Sequence, residues 1–469
     1  IAMTLTSKFG MSQTASGVVM ALDNILALFM LPLFGGISDR HKGKSGRRTP
    51  FIRTGTILAV AFLMILSLAD NAQLAKIERY AKVNDAATME LIYDEQKDTL
   101  LQTPEGKEYR LADLYTREEF SQLTTKSKVI ERNKFGRDVE VNLYTRHVVP
   151  ARQAYAADAT KADATPLILF VVLLLAVLVS MATFRSPAVA LMPDVTPKPL
   201  RSKANAIINL AGTVGGILML GAIAVLAPDD GVSYFPLFIL LIVFMLLCIG
   251  FLFAKVKEPQ LAAIAEEESR AMGVKDEAAT ELNAGKEMSR KAKISFAFML
   301  ASIFLWFMGY NAITTSFSKY ANVYWGLEGG AFAYTLMIAQ AAAIIAYIPV
   351  GVISTKFGRR KTIMGGIVLL TIAFGSCVFF KTFGGLIFFF FILAGFGWAA
   401  IGVNSFPMVV EMCRGADVGR YTGYYYTASQ SAQIITPILS GIVLEHGYKL
   451  LGSMNPDAGY VLLFPYGAI

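Results

Sequence analysis

The carboxyl group of Asp23 lies in the middle of an apolar run that extends from Thr14 to Leu33. In hydrocarbon an ionised carboxylate costs at least about 2.5 kcal/mol, so such a group usually pairs with a partner, binds a proton or lines a water-filled path. One interpretation is a site that takes up and releases a proton in a repeated cycle. The other is a neutral carboxyl group that hydrogen-bonds to a neighbouring helix.

Amide and aromatic side chains recur inside other apolar runs. Tyr426, Gln430 and Gln433 fall on one stripe, because residues three or four apart share a helix face. Amides that donate and accept hydrogen bonds suit hydroxyl-rich ligands, and aromatic faces stack on the apolar side of sugar rings. The same amides also form hydrogen bonds between membrane helices. The candidate cavity residues are Asn24, Asn209, Trp306, Tyr310, Asn311, Gln340, Asn404, Tyr426, Gln430 and Gln433.

Residue patterns for catalysis or for metal binding are missing from the sequence. The three histidines, His41, His147 and His446, lie in separate segments. The HExxH and CxxC patterns and the phosphate-binding GxxxxGK[ST] pattern are absent. The sequence therefore predicts no enzyme, no metal and no cofactor, and it argues against coupling to ATP hydrolysis.

Two short basic segments, residues 35–48 and 351–360, have nearly the same sequence. Each lies directly between two long apolar runs, one in each half of the chain. An Asp at a helix end can pair with a nearby Arg or cap a facing helix N-terminus. Such contacts form in only one relative position of two helix bundles, so we expect a cytoplasmic gate here; plain membrane anchoring is the alternative. Thr355 stands where the first segment has Asp39, so the gate would be asymmetric. The gate candidates are Asp39, Arg40, Gly46, Arg47 and Arg48 in the first segment, and Arg359 and Arg360 in the second.

Two further acid and arginine pairs occupy similar places in the two halves. Asp194 ends one apolar run and Arg201 opens the next, and Glu411 and Arg420 are arranged in the same way. Each pair is separated by a turn that contains Pro or Gly. We expect these four residues to form gate contacts, and simple helix capping is the alternative.

Composition places most of the chain in a membrane. It has 469 residues, of which 55% are hydrophobic and 17% charged, and its mean hydropathy is +0.51. Residues 165–184 and 234–254 carry no charge over about 20 positions, enough to cross a hydrocarbon core of about 30 Å. Lys and Arg concentrate in alternate short loops, which the positive-inside rule assigns to the cytoplasm. The net charge of +8 therefore reflects membrane orientation and predicts no nucleic-acid partner. The expected location is the plasma (inner) membrane.

The apolar runs predict an all-α membrane protein of two six-helix bundles. Ten spans are expected near 14–37, 51–69, 166–185, 203–227, 233–254, 295–316, 330–354, 361–380, 384–412 and 418–443. A further run begins near 458, and an outside position for Ile1 requires one more helix before it. We therefore expect a chain whose first helix is missing and whose last is truncated.

The polar stretches divide this plan into five parts. Residues 1–70 and 166–255 form the N-terminal bundle, and 294–469 form the C-terminal bundle. Residues 71–165 are an extracytoplasmic insertion, too long for an ordinary connection, and we expect a small folded cap in which Ala75 to Gln102 is largely helical. Residues 256–293 are expected to be a cytoplasmic connector, partly helical and mobile.

The first basic segment and the stretch around Asp194 resemble known proteins. Asp39-Arg40, a five-residue spacer, Gly46-Arg47-Arg48 and Pro50-Phe51-Ile52 are similar to a loop of sucrose:proton symporters and their glycoside–pentoside–hexuronide:cation symporter relatives in the major facilitator superfamily. Ala190 to Thr196, with Arg201 and Ala204-Asn205, resembles another loop of the same group. The resemblance covers the membrane spans but not the insertion. It implies two related bundles around a central cavity that opens alternately to each side.

The chain also departs from that group. Sucrose symporters usually place Arg five residues before the loop aspartate, where this chain has Val189. Ala27 and Leu31 stand where melibiose-type relatives carry sodium-binding carboxylates, so the resemblance does not extend to a sodium site.

Together these features predict a secondary active transporter in a lipid bilayer. The favoured cargo is a small-molecule sugar or glycoside, moved together with a coupling proton. Two alternatives remain open: a transporter of another amphipathic solute, such as a drug or lysolipid, and a transporter-like receptor that binds ligand through its insertion.

Overall fold

The computed structural model describes residues 4–77, 85–103, 107–132, 138–226, 233–272, 290–323, 325, 331–380, 383–412, 417–450 and 461–468. In chain order the α-helices are α1 (Gln13–Arg40), α2 (Thr49–Lys76), α3 (Ala86–Gln96), α4 (Leu111–Leu114), α5 (Arg117–Ser121), α6 (Val149–Ala162), α7 (Thr165–Asp194), α8 (Arg201–Leu226), α9 (Phe235–Lys255), α10 (Glu258–Ala271), α11 (Arg290–Val323), α12 (Ala331–Phe357), α13 (Arg359–Cys377), α14 (Gly385–Glu411), α15 (Val418–Leu450) and α16 (Leu463–Ala468). Thr4–Lys8 and Tyr144–Val148 are π-helical, and Lys198–Leu200 is a 3₁₀ turn.

The long helices follow from the apolar runs. Lipid offers no hydrogen-bond partner, so a spanning backbone must satisfy its own N–H and C=O groups within a helix. Within the described ranges, nine helices are long and apolar enough to cross a bilayer: α1, α2, α7, α8, α9, α11, α12, α13 and α14. The tenth expected span is the helix α15, which extends beyond residue 443 to Leu450.

Large apolar side chains are exposed along these helices. Phe29 is 68% exposed, Phe298 71% and Ile345 69%. A protein in water would hide such residues, whereas in a bilayer they face lipid tails. The architecture is therefore that of an all-α membrane protein.

The chain forms two compact units. The first comprises Ile1–Leu22, Ile57–Leu178 and Leu218–Cys248, and the second comprises Asp23–Thr56, Val179–Ile217 and Ile249–Ile469. In the first unit, Leu5, Phe9, Leu66 and Phe170 form part of a buried apolar core. Beside it, Lys8 Nζ lies 2.6 Å from Asp70 Oδ2, and both side chains are fully buried. Gln73 donates to the carbonyl of Lys8, so the π-helical turn is held against α2.

The expected cap, also in the first unit, has its own apolar core. Met89, Ile92, Leu111 and Phe120 are buried together. Two short antiparallel pairs complete this part of the chain, β1 (Leu101–Gln102) with β2 (Glu108–Tyr109), and β3 (Lys128–Arg132) with β4 (Asp138–Asn142).

The helical prediction for Ala75 to Gln102 was only partly correct. The structure has α3 there, but Leu101 and Gln102 belong to strand β1, and residues 78–84 lie outside the described part. Leu101 is buried and Gln102 exposed, the alternation that a half-buried strand requires. A two-residue strand is too short to leave a periodic signal in the sequence.

Two other expectations fall partly or wholly outside the described residues. In the connector, α10 and the start of α11 are helical, and residues 273–289 are not described. The last apolar run was placed near 458, and 451–460 are likewise not described, whereas Leu463–Ala468 is helical.

The second unit contains the helices of the C-terminal half. In this unit α11 packs on α15, and α14 packs on both α12 and α13. Phe317, Phe391, Ile401 and Phe464 form part of its buried core. The basic ends of α1, α2, α7 and α8 belong to the same unit, so both repeated basic segments lie in it.

Candidate functional site: the basic helix ends and the polar cluster

The carboxylate of Asp39, at the end of α1, caps the start of α15. Asp39 Oδ1 accepts a hydrogen bond from the backbone N–H of Gly419 at 2.8 Å, and Oδ2 accepts one from Arg420 at 2.7 Å. The first N–H groups of a helix have no partner within the helix, and the helix dipole favours a negative charge there. Asp39 therefore joins a helix of the N-terminal half to one of the C-terminal half.

Arg48 lies behind this contact and is completely buried. Its Nη2 is 2.5 Å from Asp39 Oδ1, its Nε is 2.9 Å from Asp194 Oδ2, and its Nη1 donates to Ser38 Oγ. Burial alone would lower the pKa of Arg48, but the charges of Asp194 and Asp39 outweigh burial and raise it. Removing one partner of such a buried ion pair typically costs about 3–5 kcal/mol.

Glu258, at the start of α10, caps the neighbouring helix α2. Its carboxylate accepts hydrogen bonds from the backbone N–H groups of Arg47, Arg48 and Thr49 and from the Thr49 hydroxyl. Gly46 has φ +103°, and a Cβ atom there would lie 2.2 Å from Glu258 Oε2. Glycine is therefore required at position 46 both by its backbone conformation and by the space that Glu258 occupies.

The helices α1 and α15 touch through their backbones. A Cβ atom on Gly35 would lie 2.1 Å from the carbonyl oxygen of Gly419 and 2.9 Å from Ser186 Oγ. One turn further along, a Cβ atom on Gly423 would lie 2.2 Å from Pro32 Cα. This packing leaves no room for a side chain where the two helices cross.

The second basic segment forms a different set of contacts. Arg359 donates to Ser202 Oγ at 2.6 Å and to the carbonyl of Lys198 at 3.0 Å, and it forms an ion pair with Glu411. Thr355, in the place of Asp39, donates to Gly351 within its own helix. The two segments therefore differ, as the Asp-to-Thr difference between them suggests.

The partners of the two acid and arginine pairs differ from the expected ones. Asp194 binds Arg47 and Arg48, whereas Arg201 donates to the carbonyl of Pro193. Glu411 pairs with Arg359, and the Arg420 side chain donates to the Tyr424 hydroxyl. The sequence spacing correctly placed these acids and arginines at the same helix ends. It could not predict which acid pairs with which arginine, because that depends on which helix ends lie next to each other in the fold.

Arg40 and Arg360, also expected in the gate, are exposed. Among the described residues neither has an ion pair or a hydrogen-bonded side chain. A contact that the gate prediction did not include lies between α8 and α14. There Asn205 Nδ2 donates to the carbonyl of Val403 at 2.8 Å.

Several candidate cavity residues gather between α11, α12 and α14. The rings of Tyr310 and Trp398 stack with centroids 3.7 Å apart and planes 8° apart. Gln340, on α12, lies next to Tyr310 in the wall of one cavity. A cavity of about 130 Å³ lies beside them, with Thr314, Gln340 and the Tyr310 ring in its lining. Trp398, which holds the Tyr310 ring, was not among the predicted residues.

Polar atoms of four candidate cavity residues have no partner within the described part of the protein. They are Trp306 Nε1, Asn311 Nδ2, Asn404 Oδ1 and Gln430 Oε1, all buried. An unpaired buried polar group costs about 1–3 kcal/mol, so these atoms are suited to a polar ligand or to water.

The remaining candidates are scattered. Asn404 Nδ2 donates to Ala400 within α14, and Asn209 approaches the Gly402 carbonyl at 3.5 Å. Gln433 is exposed and Asn24 partly buried. These four do not join the Tyr310 cluster through any described contact.

Asp23 is exposed on α1. It has no hydrogen bond or ion pair with any residue that the structure describes. The structure therefore provides no neighbouring group that would hold it as a neutral structural carboxyl.

Arg185 is a charged residue that was not among the predicted site residues. The expected span ended at 185, but α7 continues to Asp194, which leaves Arg185 well inside the helix. Its guanidinium carbon lies 5.4 Å from the centroid of the Tyr426 ring, within the range of a cation–π contact. No carboxylate among the described residues pairs with it. A lone arginine beside a run of about 20 uncharged residues was the available signal.

The comparisons with known proteins agree with this architecture. The structure is similar to that of the proton:xylose symporter XylE bound to 6-bromo-6-deoxy-D-glucose, with 13% identity, a TM-score of 0.54, and coverage of 99% of this chain and 88% of that one. A bacterial homologue of the iron transporter ferroportin in an outward-facing state has 12% identity and a TM-score of 0.54, with coverage of 100% and 90%. At these identities the similarity concerns the fold alone.

Sequence comparison leads to the family directly. No curated protein matches the chain by sequence. The sequence profile of the Major Facilitator Superfamily matches residues 154–437, more than half of the chain. Members of this family are multi-pass membrane transporters and not enzymes. The protein therefore belongs to the major facilitator superfamily.

Proposed function

We propose that the protein is a secondary active transporter that moves a sugar or glycoside together with a proton by alternating access. The observation that carries transport is the Asp39 cap on α15, with Arg48 and Asp194 behind it. These contacts hold helices of both sequence halves together at the basic end. They must break before that end can open, so they act as the gate that the repeated basic segments predict.

The sugar proposal rests on the cluster around Tyr310. Its stacked ring pair with Trp398 offers an apolar face, and Gln340 offers an amide beside a cavity of about 130 Å³. Aromatic faces with a few convergent polar groups are typical of sugar sites. Trp306 Nε1 and Asn311 Nδ2, on the same helix as Tyr310 but outside the lining of that cavity, are buried donors without a partner among the described residues.

Asp23 is the proposed proton site. It lies within a span and has no described partner, so no ion pair has to break when it gains or loses a proton. Ala27 and Leu31, one and two turns away, are apolar and buried. We therefore favour a proton over sodium as the coupling ion.

Uptake into proteoliposomes tests both parts of this proposal. Radiolabelled sucrose and melibiose are offered with and without an acid-outside pH gradient, and with and without sodium. We expect uptake that the pH gradient stimulates and that Asp23→Asn abolishes. Asp98→Asn, an exposed carboxylate of the insertion, is the matched control and should transport normally. Uptake that depended on sodium and ignored pH would eliminate the proton claim.

A second candidate is transport of an amphipathic solute that carries a carboxylate or phosphate, such as a lysolipid. Arg185 favours it, because an arginine within a span is costly unless a ligand or partner balances its charge. Competition separates the candidates. If the second candidate is right, the native chain should take up radiolabelled lysophosphatidylglycerol, glucose should not inhibit that uptake, and Arg185→Gln should reduce it.

A further inference from the structure

A basic crevice opens on the surface of the second unit, apart from the gate and from the polar cluster. It has a volume of about 470 Å³ and lies between the segment before α2, the first turn of α2, and the junction of α9 with α10. Its lining is Lys44, Ser45, Thr49, Pro50, Arg53, Phe253, Val256, Lys257, Pro259 and Gln260.

Among the described residues that line it, the crevice has three positive charges and no negative one. Lys44, Arg53 and Lys257 are exposed, and within the described residues none of them has an ion pair or a hydrogen-bonded acceptor. The nearest acid in sequence, Glu258, is 3% exposed, and both its oxygens already accept hydrogen bonds from the start of α2. Glu258 therefore leaves the three cations without a local counter-ion.

Two arginines of the same basic segment, unlike Lys44, are paired with an acid. Arg47 and Arg48, three and four residues after Lys44, are bound by Asp194 and contribute to the gate. The sequence thus supplies more basic side chains here than the protein's own acids neutralise. Lys44 and Arg53, together with Lys257 just before α10, line the crevice, whereas Arg40 and Lys42 lie outside its lining.

One wall of the crevice is apolar. Phe253 and Val256 line it, at the end of the apolar helix α9, and Phe251 in the same turn is 68% exposed. The crevice therefore lies at the depth where a lipid-facing helix ends and basic residues begin. A ligand that matches both walls has an anionic head and an apolar body.

We propose that this crevice binds the headgroup of an anionic phospholipid, with its phosphate between Lys44, Arg53 and Lys257 and its acyl chains along the end of α9. Basic pockets between membrane helices are suited to such headgroups. Free phosphate would satisfy the three charges but would leave Phe251 and Phe253 unused. The site is independent of the transported solute, so it stands or falls separately from the proposed function.

Native mass spectrometry of the purified full chain tests this proposal. The protein is titrated with phosphatidylglycerol in micelles that contain excess phosphatidylcholine, and bound lipid is counted. Each charge near a membrane surface is worth about fivefold in affinity, so three together are worth about a hundredfold. The variant Lys44→Gln/Arg53→Gln/Lys257→Gln should lose about a hundredfold in affinity for phosphatidylglycerol. The triple variant Lys291→Gln/Lys356→Gln/Lys361→Gln, with the same change in net charge at exposed positions outside the crevice, should lose none.

Three results would overturn the proposal. Equal losses in the two triple variants would mean that general attraction to basic loops explains the binding. Unchanged binding in the first variant would mean that the crevice is not the site. Full competition by inorganic phosphate at millimolar concentration would identify a free-phosphate site. If the triple variant does not fold, the single variant Arg53→Gln, with an expected loss of about fivefold, and Arg53→Lys, with an expected loss of less than twofold, provide the same test.

Discussion

Replacing Asp39 with Asn tests the proposed gate most directly. The change is nearly isosteric, so it removes the charge while keeping the shape of the side chain. Asp39 accepts two hydrogen bonds from the start of α15 and pairs with a fully buried arginine, Arg48. An asparagine keeps one acceptor oxygen, so it retains one of the two backbone contacts and loses the ion pair.

The magnitude follows from these contacts. A hydrogen bond to a charged group contributes about 1.5–3 kcal/mol. Loss of one partner of a buried ion pair costs about 3–5 kcal/mol, but Asp194 remains beside Arg48 and retains part of it. We expect the closed arrangement to lose about 3 kcal/mol relative to the open one. That corresponds to about a 150-fold rise in the ratio of open to closed protein.

Cysteine alkylation measures this ratio. Ser186 is fully buried, with its hydroxyl oxygen next to Gly35 at the crossing of α1 and α15. In a background without the three native cysteines, Ser186→Cys should react slowly with N-ethylmaleimide, at a rate proportional to the open population. Adding Asp39→Asn should raise that rate about 150-fold, and adding Asp98→Asn in the insertion should leave it unchanged. An unchanged rate in an Asp39→Asn protein that elutes as a folded monodisperse species would refute the proposed gate.

Three further predictions follow from other contacts. Gly419→Ala places a methyl group 2.4 Å from the Gly35 carbonyl oxygen, so α1 and α15 must move apart. The alkylation rate of Ser186→Cys should therefore rise at least tenfold. A rate equal to that of the parent protein would contradict the close packing. Glu258→Gln removes a charged cap from α2 and should lower the free energy of unfolding by about 2–3 kcal/mol. This is measured as a fall in the thermal unfolding midpoint. An unchanged midpoint would show that the cap contributes little to stability. Phe120→Ala removes a fully buried side chain of the insertion and should lower the free energy of unfolding of that region by about 3–5 kcal/mol. Amide hydrogen exchange should then be faster in α3 and α6 and stay slow in α14. Slow exchange in all three helices would mean that Phe120 does not hold the insertion together.

The membrane helices could be predicted from the sequence because lipid leaves the backbone few choices. A charge-free run of about 20 residues in lipid must be helical, and within the described residues each of the ten expected spans contains a long helix. The ends of these helices were less predictable, because a helix can continue beyond its apolar run through polar residues that also favour the helical conformation. The helix α11 begins at Arg290 and ends at Val323, although the apolar signal covers only 295–316.

The same uncertainty about helix ends concealed Arg185. The prediction ended the span at the first charge, and the helix in fact carries that charge within it. Glu258 was missed for another reason. Nothing near it in sequence indicates that it caps α2, because the contact joins residues about 210 positions apart. Asp39 was identified because its motif occurs twice. Its partner, Gly419, could not be identified from the sequence, because that contact depends on which helix N-terminus lies opposite Asp39 in the fold.

The two ends of the insertion lie side by side. Lys76, on the last turn of α2, forms an ion pair with Asp163, just before α7 begins, so the stretch expected to be an insertion begins and ends at neighbouring positions. A short glycine–serine linker between these two positions would leave the ends of α2 and α7 at their present separation. The same junction can accept a circularly permuted fluorescent protein, which would turn this carrier into a sensor of its own substrate.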